Sequence, residues 1–104
     1  MTPQEFEAVL LRSQRLTREV LMKKAGEYAP GMDRFANFRR AAEFQHLSME
    51  QVCWNFLMKH LVSVQDMVES GKEYPQEVWD EKLGDTHNYL HLLEGMVTGR
   101  RAKG

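Results

Sequence analysis

Two polar stripes occupy the C-terminal half of this 104-residue chain. Lys59, Ser63 and Asp66 fall at i, i+4 and i+7, and Glu81, Asp85 and Asn88 repeat that spacing, with Glu77 one turn earlier. On a helix such spacing lines side chains along one face. Asp66, Glu81 and Asp85 are hard oxygen donors of the kind magnesium takes alongside waters and substrate phosphates. Lys59 can hold a phosphate or neutralise Asp85. The competing expectation is a solvated helix face with weak surface pairs, or a seam between subunits, because apolar stripes border both polar ones.

The histidines point less clearly to chemistry. His87 and His91 lie at i, i+4 with Glu94 on the same face, but the glutamate of an H-E-x-x-H motif is absent. An incidental pair is expected rather than a zinc site. His60 reads as a packed or half-buried side chain. No Ser-His-Asp arrangement, nucleophile elbow or phosphate-cradling glycine loop is present, so no catalytic residue is assigned.

A second cluster runs from Lys23 to Arg40. Tyr28 and Phe38 can stack on a base, and Lys24, Arg39 or Arg40 can meet phosphates. The alternative is an aromatic cluster pinning a loop, with the arginines reaching outward. Asn37, between two aromatic residues, fits either.

These residues need elements to position them. Thr2-Pro3-Gln4-Glu5 is a capping box with proline in the first turn. Phe6, Val9, Leu10, Leu16, Val20 and Leu21 follow at helical spacing, predicting a long helix to about Ala25, with Gly26 as its stop. Gly26 to Asp33 reads as a loop around Pro30-Gly31. Asp33 is expected to cap a short helix from Arg34 to about Phe44, burying Phe35, Phe38 and Ala42. Ser48 and Gln51 form a second capping box for a third helix that Gly71 ends. Pro75 opens a fourth helix, which Gly99 is expected to close.

The connection between the last two helices is short, so they must be antiparallel neighbours. Positions on the two helices should face each other when their numbers sum to roughly 145, which sets Lys59 level with Asp85 and Asp66 near Glu81.

The resulting expectation is an all-α fold of four helices: a long one, a short one, then a long antiparallel hairpin. Residues 1–98 form a single domain and 99–104 a basic, flexible tail. A chain this small has a thin core, roughly 60–65% of its unfolded surface being hidden, so a homo-oligomer is expected. Apolar residues make up 42% and charged residues 28%, an ordinary globular balance. A formal net charge of -1 gives no basic field for nucleic acid. Cys53, the single cysteine, excludes an internal disulfide and reads as a small core hydrophobe. No apolar run approaches the ~18 residues of a membrane span, and no signal-peptide core is evident. A cytoplasmic protein without membrane contact is the simplest expectation.

Taken together, Lys24…Glu27-Tyr28, Asp33…Asn37-Phe38-Arg39, Lys59-His60…Ser63 and Glu81-Lys82…Asp85…Asn88-Tyr89 resemble a pattern in small phage and prophage proteins. The pattern also looks like a reduced version of the MazG-like all-α nucleoside triphosphate pyrophosphohydrolases and the phage nucleotide modification associated domains. The resemblance implies binding, with magnesium, of a (deoxy)nucleoside triphosphate and its cleavage to monophosphate and pyrophosphate, in a bacterial host cell. It makes Glu81 and Asp85 metal ligands and turns Lys24, Asn37, Arg39 and Lys59 toward substrate; the reading of the residues adds Asp66 as a third ligand and Tyr28 and Asn88 on the substrate side. The chain departs from the family at Phe56–Ser63, where the enzymes carry a glutamate-rich stretch and this chain carries no acid. The second expectation is therefore a non-enzymatic oligomeric accessory protein that binds a host protein or sequesters a small nucleotide.

Overall fold

A computed structural model describes residues 1–25 and 33–103, without the side chains of Lys24, Ala25 and Lys103. Among them are four helices and no strand: α1 (Pro3–Ala25), α2 (Ala36–Gln45), α3 (Met49–Ser70) and α4 (Gln76–Lys103).

Local chemistry sets most of the boundaries. At the start of α1, Glu5 N–H donates to Thr2 Oγ1 and Thr2 N–H to Glu5 Oε2, both at 3.1 Å. The reciprocal box recurs at α3, where Gln51 N–H donates to Ser48 Oγ at 3.1 Å and Ser48 N–H to Gln51 Oε1 at 2.8 Å. Gly71 ends α3 in the left-handed region at φ 68°, a conformation that costs a residue without Cβ little. The α1–α2 link, with Gly26 and Pro30-Gly31, lies outside the described residues.

Two boundaries differ from expectation. The short helix begins at Ala36 rather than Arg34. Asp33 Oδ1 accepts from Phe35 N–H at 3.0 Å and the Asp33 carbonyl from Ala36 N–H at 3.2 Å. Asp33 thus closes a turn that delays the helix instead of capping it at once. At the other end, α4 does not stop at Gly99 but runs to Lys103. One interior glycine costs a helix only about 1 kcal/mol. Arg100, Arg101 and Lys103 favour continuation because cations suit the negative end of the helix dipole.

Helices α3 and α4 form the central antiparallel hairpin, α2 lies on α3, and α1 lies on α4. The facing rule holds: Phe56 stacks on Tyr89 at 6.1 Å between ring centroids, and His60 meets Asp85. Pairings between α1 and α4 rise together along both helices, from Arg12 with Asp80 to Leu21 beside Asn88 and Leu92, so α1 runs parallel to α4. The core is small. Its buried apolar members are Val52, Cys53, Leu57 and Met67 along α3, Met96 on α4 and Ala42 on α2. Gly95 lets the Phe35 ring approach, since a Cβ there would lie 3.1 Å from its Cζ.

Candidate functional site

The antiparallel pairing of α3 and α4 brings His60 of one helix opposite Asp85 of the other, with Nδ1 3.6 Å from Oδ2. One turn beyond Asp85, Tyr89 stacks on the His60 ring at 5.0 Å between centroids. Tyr89 also continues an aromatic ladder through Phe56 and Phe38 to Phe35. Helix α2 supplies Phe38 and the turn before it supplies Arg34, while α1 supplies Leu21, and these surround a cleft of about 330 Å³ whose floor is α4. Asp85, Asn88, Tyr89 and Leu92, at i, i+3, i+4 and i+7, are the α4 residues that line it.

Asn88 is the unusual member. It is only 7% exposed, and its side-chain oxygen is a buried acceptor without a hydrogen-bond partner among the described residues. Buried polar groups are nearly always paired, and an orphan costs about 1–3 kcal/mol. Beside it the Tyr89 phenol is held above its ordinary pKa, chiefly by burial, then by the charges of Asp85 and Cys53. It therefore stays a neutral hydroxyl through the physiological range. The cleft thus offers a flat aromatic wall, a carboxylate beside an imidazole, an unsatisfied carboxamide and the guanidinium of Arg34.

The residues expected to form a site divide. Asp85 and Asn88 line the cleft, and Phe38 is in its wall. Lys59 is exposed and does not face Asp85, a position His60 takes instead. The height was right, but one residue along a helix turns the side chain by 100°. Glu81 borders the groove between α1 and α4, beside Thr17 and Val20, whereas Asp66 is exposed on α3. Among the described residues no three His, Cys, Asp or Glu side chains come close enough to hold a metal ion. Asp66, Glu81 and Asp85 are thus not gathered as a group of three among the described residues.

Arg39 is paired with Asp33 and opens toward a separate depression beside Glu50 and Arg100. Asn37 is exposed on α2. Tyr28 and the side chain of Lys24 lie outside the described residues. His87 makes a 3.4 Å contact from Nδ1 to Ser13 Oγ, and His91 is exposed. His60, Tyr89 and Arg34 are polar or aromatic cleft residues that spacing did not single out. The only signal for His60 was its sum with Asp85 on the facing rule, and Arg34 carried none. No helix among the described residues is long and apolar enough to cross a membrane.

No protein-family model, curated protein or solved structure matches this chain.

Proposed function

We propose that this chain binds a small nucleoside- or nucleotide-like ligand in the cleft floored by α4. The observation that carries the reading is Asn88, a residue lining this cleft and the neighbouring α1–α4 groove, whose buried side-chain oxygen has no hydrogen-bond partner among the described residues. If the Asn88 side chain turns toward the cleft, a ligand N–H or O–H supplies the hydrogen bond that its oxygen lacks among the described residues. A nucleobase suits the surroundings, because an amide side chain can pair with a base edge in two places and Tyr89 and Phe38 offer ring faces. Base–aromatic stacking is worth about 1–3 kcal/mol per base. Arg34 suits a phosphate at the rim. The volume lies at the lower end of ligand pockets, roughly 300–1,000 Å³, which favours a nucleoside or monophosphate over a larger cofactor.

Hydrolysis with magnesium is not part of this reading, because the three carboxylates it needs do not converge among the described residues. A second reading, a partner-binding accessory protein, is favoured by the number of large apolar side chains left exposed on α1 and α3.

The test is calorimetric titration with nucleosides, monophosphates and triphosphates, each with and without magnesium. Replacing Asn88 by leucine removes the unpaired group, so Asn88→Leu is expected to gain roughly 1 kcal/mol of unliganded stability while losing at least about tenfold in affinity. If no member of the panel binds, or if Asn88→Leu binds as tightly as the wild type, the proposal is wrong.

A further inference from the structure

On the side of the hairpin away from the cleft, α3 and α4 each carry an apolar residue every seventh position. On α3 these are Trp54, Leu61 and Val68, and on α4 they are Leu83, Leu90 and Val97. Their neighbours Cys53, Leu57 and Met67 point into the hairpin seam and are buried. Five of the six are turned out of it, with Trp54 47%, Val68 66% and Leu90 47% exposed, while Val97 is half-buried and Leu83 also borders the α1 groove. Because α3 and α4 are antiparallel, Trp54 stands level with Leu90 and Leu61 with Leu83. Each stripe is about 21 Å long at 1.5 Å per residue, and the two, offset by one repeat, make one face about 30 Å long.

We infer that this face is where a second copy of the chain docks, hairpin against hairpin, to form an antiparallel four-helix bundle. Three observations favour a second copy as its occupant. The sevenfold spacing is what a helix needs to keep one stripe against a neighbouring helix over several turns. It is the same on both helices, so the face is its own complement under a two-fold axis, as an isologous interface requires. The surface area is also of the right size. The chain exposes 8059 Å², against about 6,000 Å² for a compact monomer of its mass. The excess of about 2,000 Å² comfortably exceeds the roughly 800 Å² each partner loses in a standard interface. The radius of gyration of 16.0 Å, against about 13 Å for a compact chain of this length, agrees with a subunit that is half of something.

The cleft lies on the opposite side of the hairpin, so dimerisation leaves it open and does not depend on the ligand. The Asn88→Leu protein is expected to dimerise like the wild type.

Sedimentation equilibrium of the wild type, from about 1 to 100 µM, is expected to give the mass of two 12.2 kDa chains, with dissociation at the dilute end shown by a falling weight-average mass. Leu90→Glu is expected to be monomeric, its charge having no place in a dry seam. Val62→Glu, at an exposed apolar position off the stripe, is expected to remain dimeric. Should Leu90→Glu lose its helical circular dichroism while Val62→Glu keeps both fold and mass, the inference also holds, because the face is then needed for folding. A wild-type mass of one chain at 100 µM overturns it, and so does a mass above two. A dimeric Leu90→Glu overturns it as well, whatever the wild type does.

Discussion

Asn88 and Cys53 sit a short distance apart near the α3–α4 seam, and burial does opposite things to them. Asn88 is a polar group whose oxygen burial leaves without a partner among the described residues. Cys53 is fully buried, and its thiol donates only a weak 3.4 Å contact to the Tyr89 carbonyl. Burial raises its pKa, so it is a poor nucleophile as well as an inaccessible one. Labelling of Cys53 with a maleimide at pH 7.5 is expected to be slower in native protein than in denaturant by about two orders of magnitude or more. Rapid native labelling would mean that the seam opens far more often than its packing implies. The burial of Cys53 could be read from its apolar neighbours in the sequence. That of Asn88 could not, because an asparagine bordering a charged stripe has the same signature whether it faces water or a cleft. His60 shows the same limit: pairing fixed its height, and the azimuth that sets it rather than Lys59 against Asp85 depends on how the two helices roll.

Helix ends were the most legible part of the sequence wherever side chains hold them. Thr2 with Glu5 and Ser48 with Gln51 form the boxes their spacing announces. The two ends that differed have separate causes: at Asp33 a local turn delays α2, and at Gly99 nothing local is decisive. A glycine such as Gly99 ends a helix only if the chain must turn there, and three favourable cations carried α4 onward. Between elements, α1 is tied to α4 by one well-formed pair. Arg12 Nη1 and Nη2 donate to Asp80 Oδ1 and Oδ2 at 2.8 and 2.7 Å, and Gln76 Nε2 donates to Oδ1 at 3.0 Å. The bond from Arg12, then that from Gln76, lowers the Asp80 pKa to about 2. The folded protein therefore binds its proton less readily than the unfolded chain, whose aspartate titrates near ~3.9. The stability this contributes is complete above that value and disappears as pH falls through about 2. Asp80→Asn is expected to be modestly less stable at pH 7, with a urea midpoint that changes less than the wild type's between pH 4 and pH 2. Parallel pH profiles would show that the pair contributes nothing, as is common for exposed ion pairs.

At the scale of the whole molecule, the all-α class followed from periodicity alone, and the antiparallel hairpin from a connection of five residues between Ser70 and Gln76. The placement of α1 did not. Nothing in its amphipathic pattern says which neighbour it will take, because a stripe of leucines and valines fits any apolar groove. Its position is a long-range choice, made across the 68 residues that separate Arg12 from Asp80.

That separation also bears on the order in which the molecule assembles. The hairpin closes over a short connection, so its seam can form while most of the chain is still loose. Helix α1 has to find α4 from far along the chain, and its reward is a shallow contact whose buried members are few. It should arrive late and leave early. In native-state hydrogen exchange, amides of α1 are expected to exchange through openings well below the global unfolding energy, while those around Cys53 and Leu57 exchange only when everything opens. Equal protection in α1 and α3 would show instead that the parallel helix is part of a single cooperative unit.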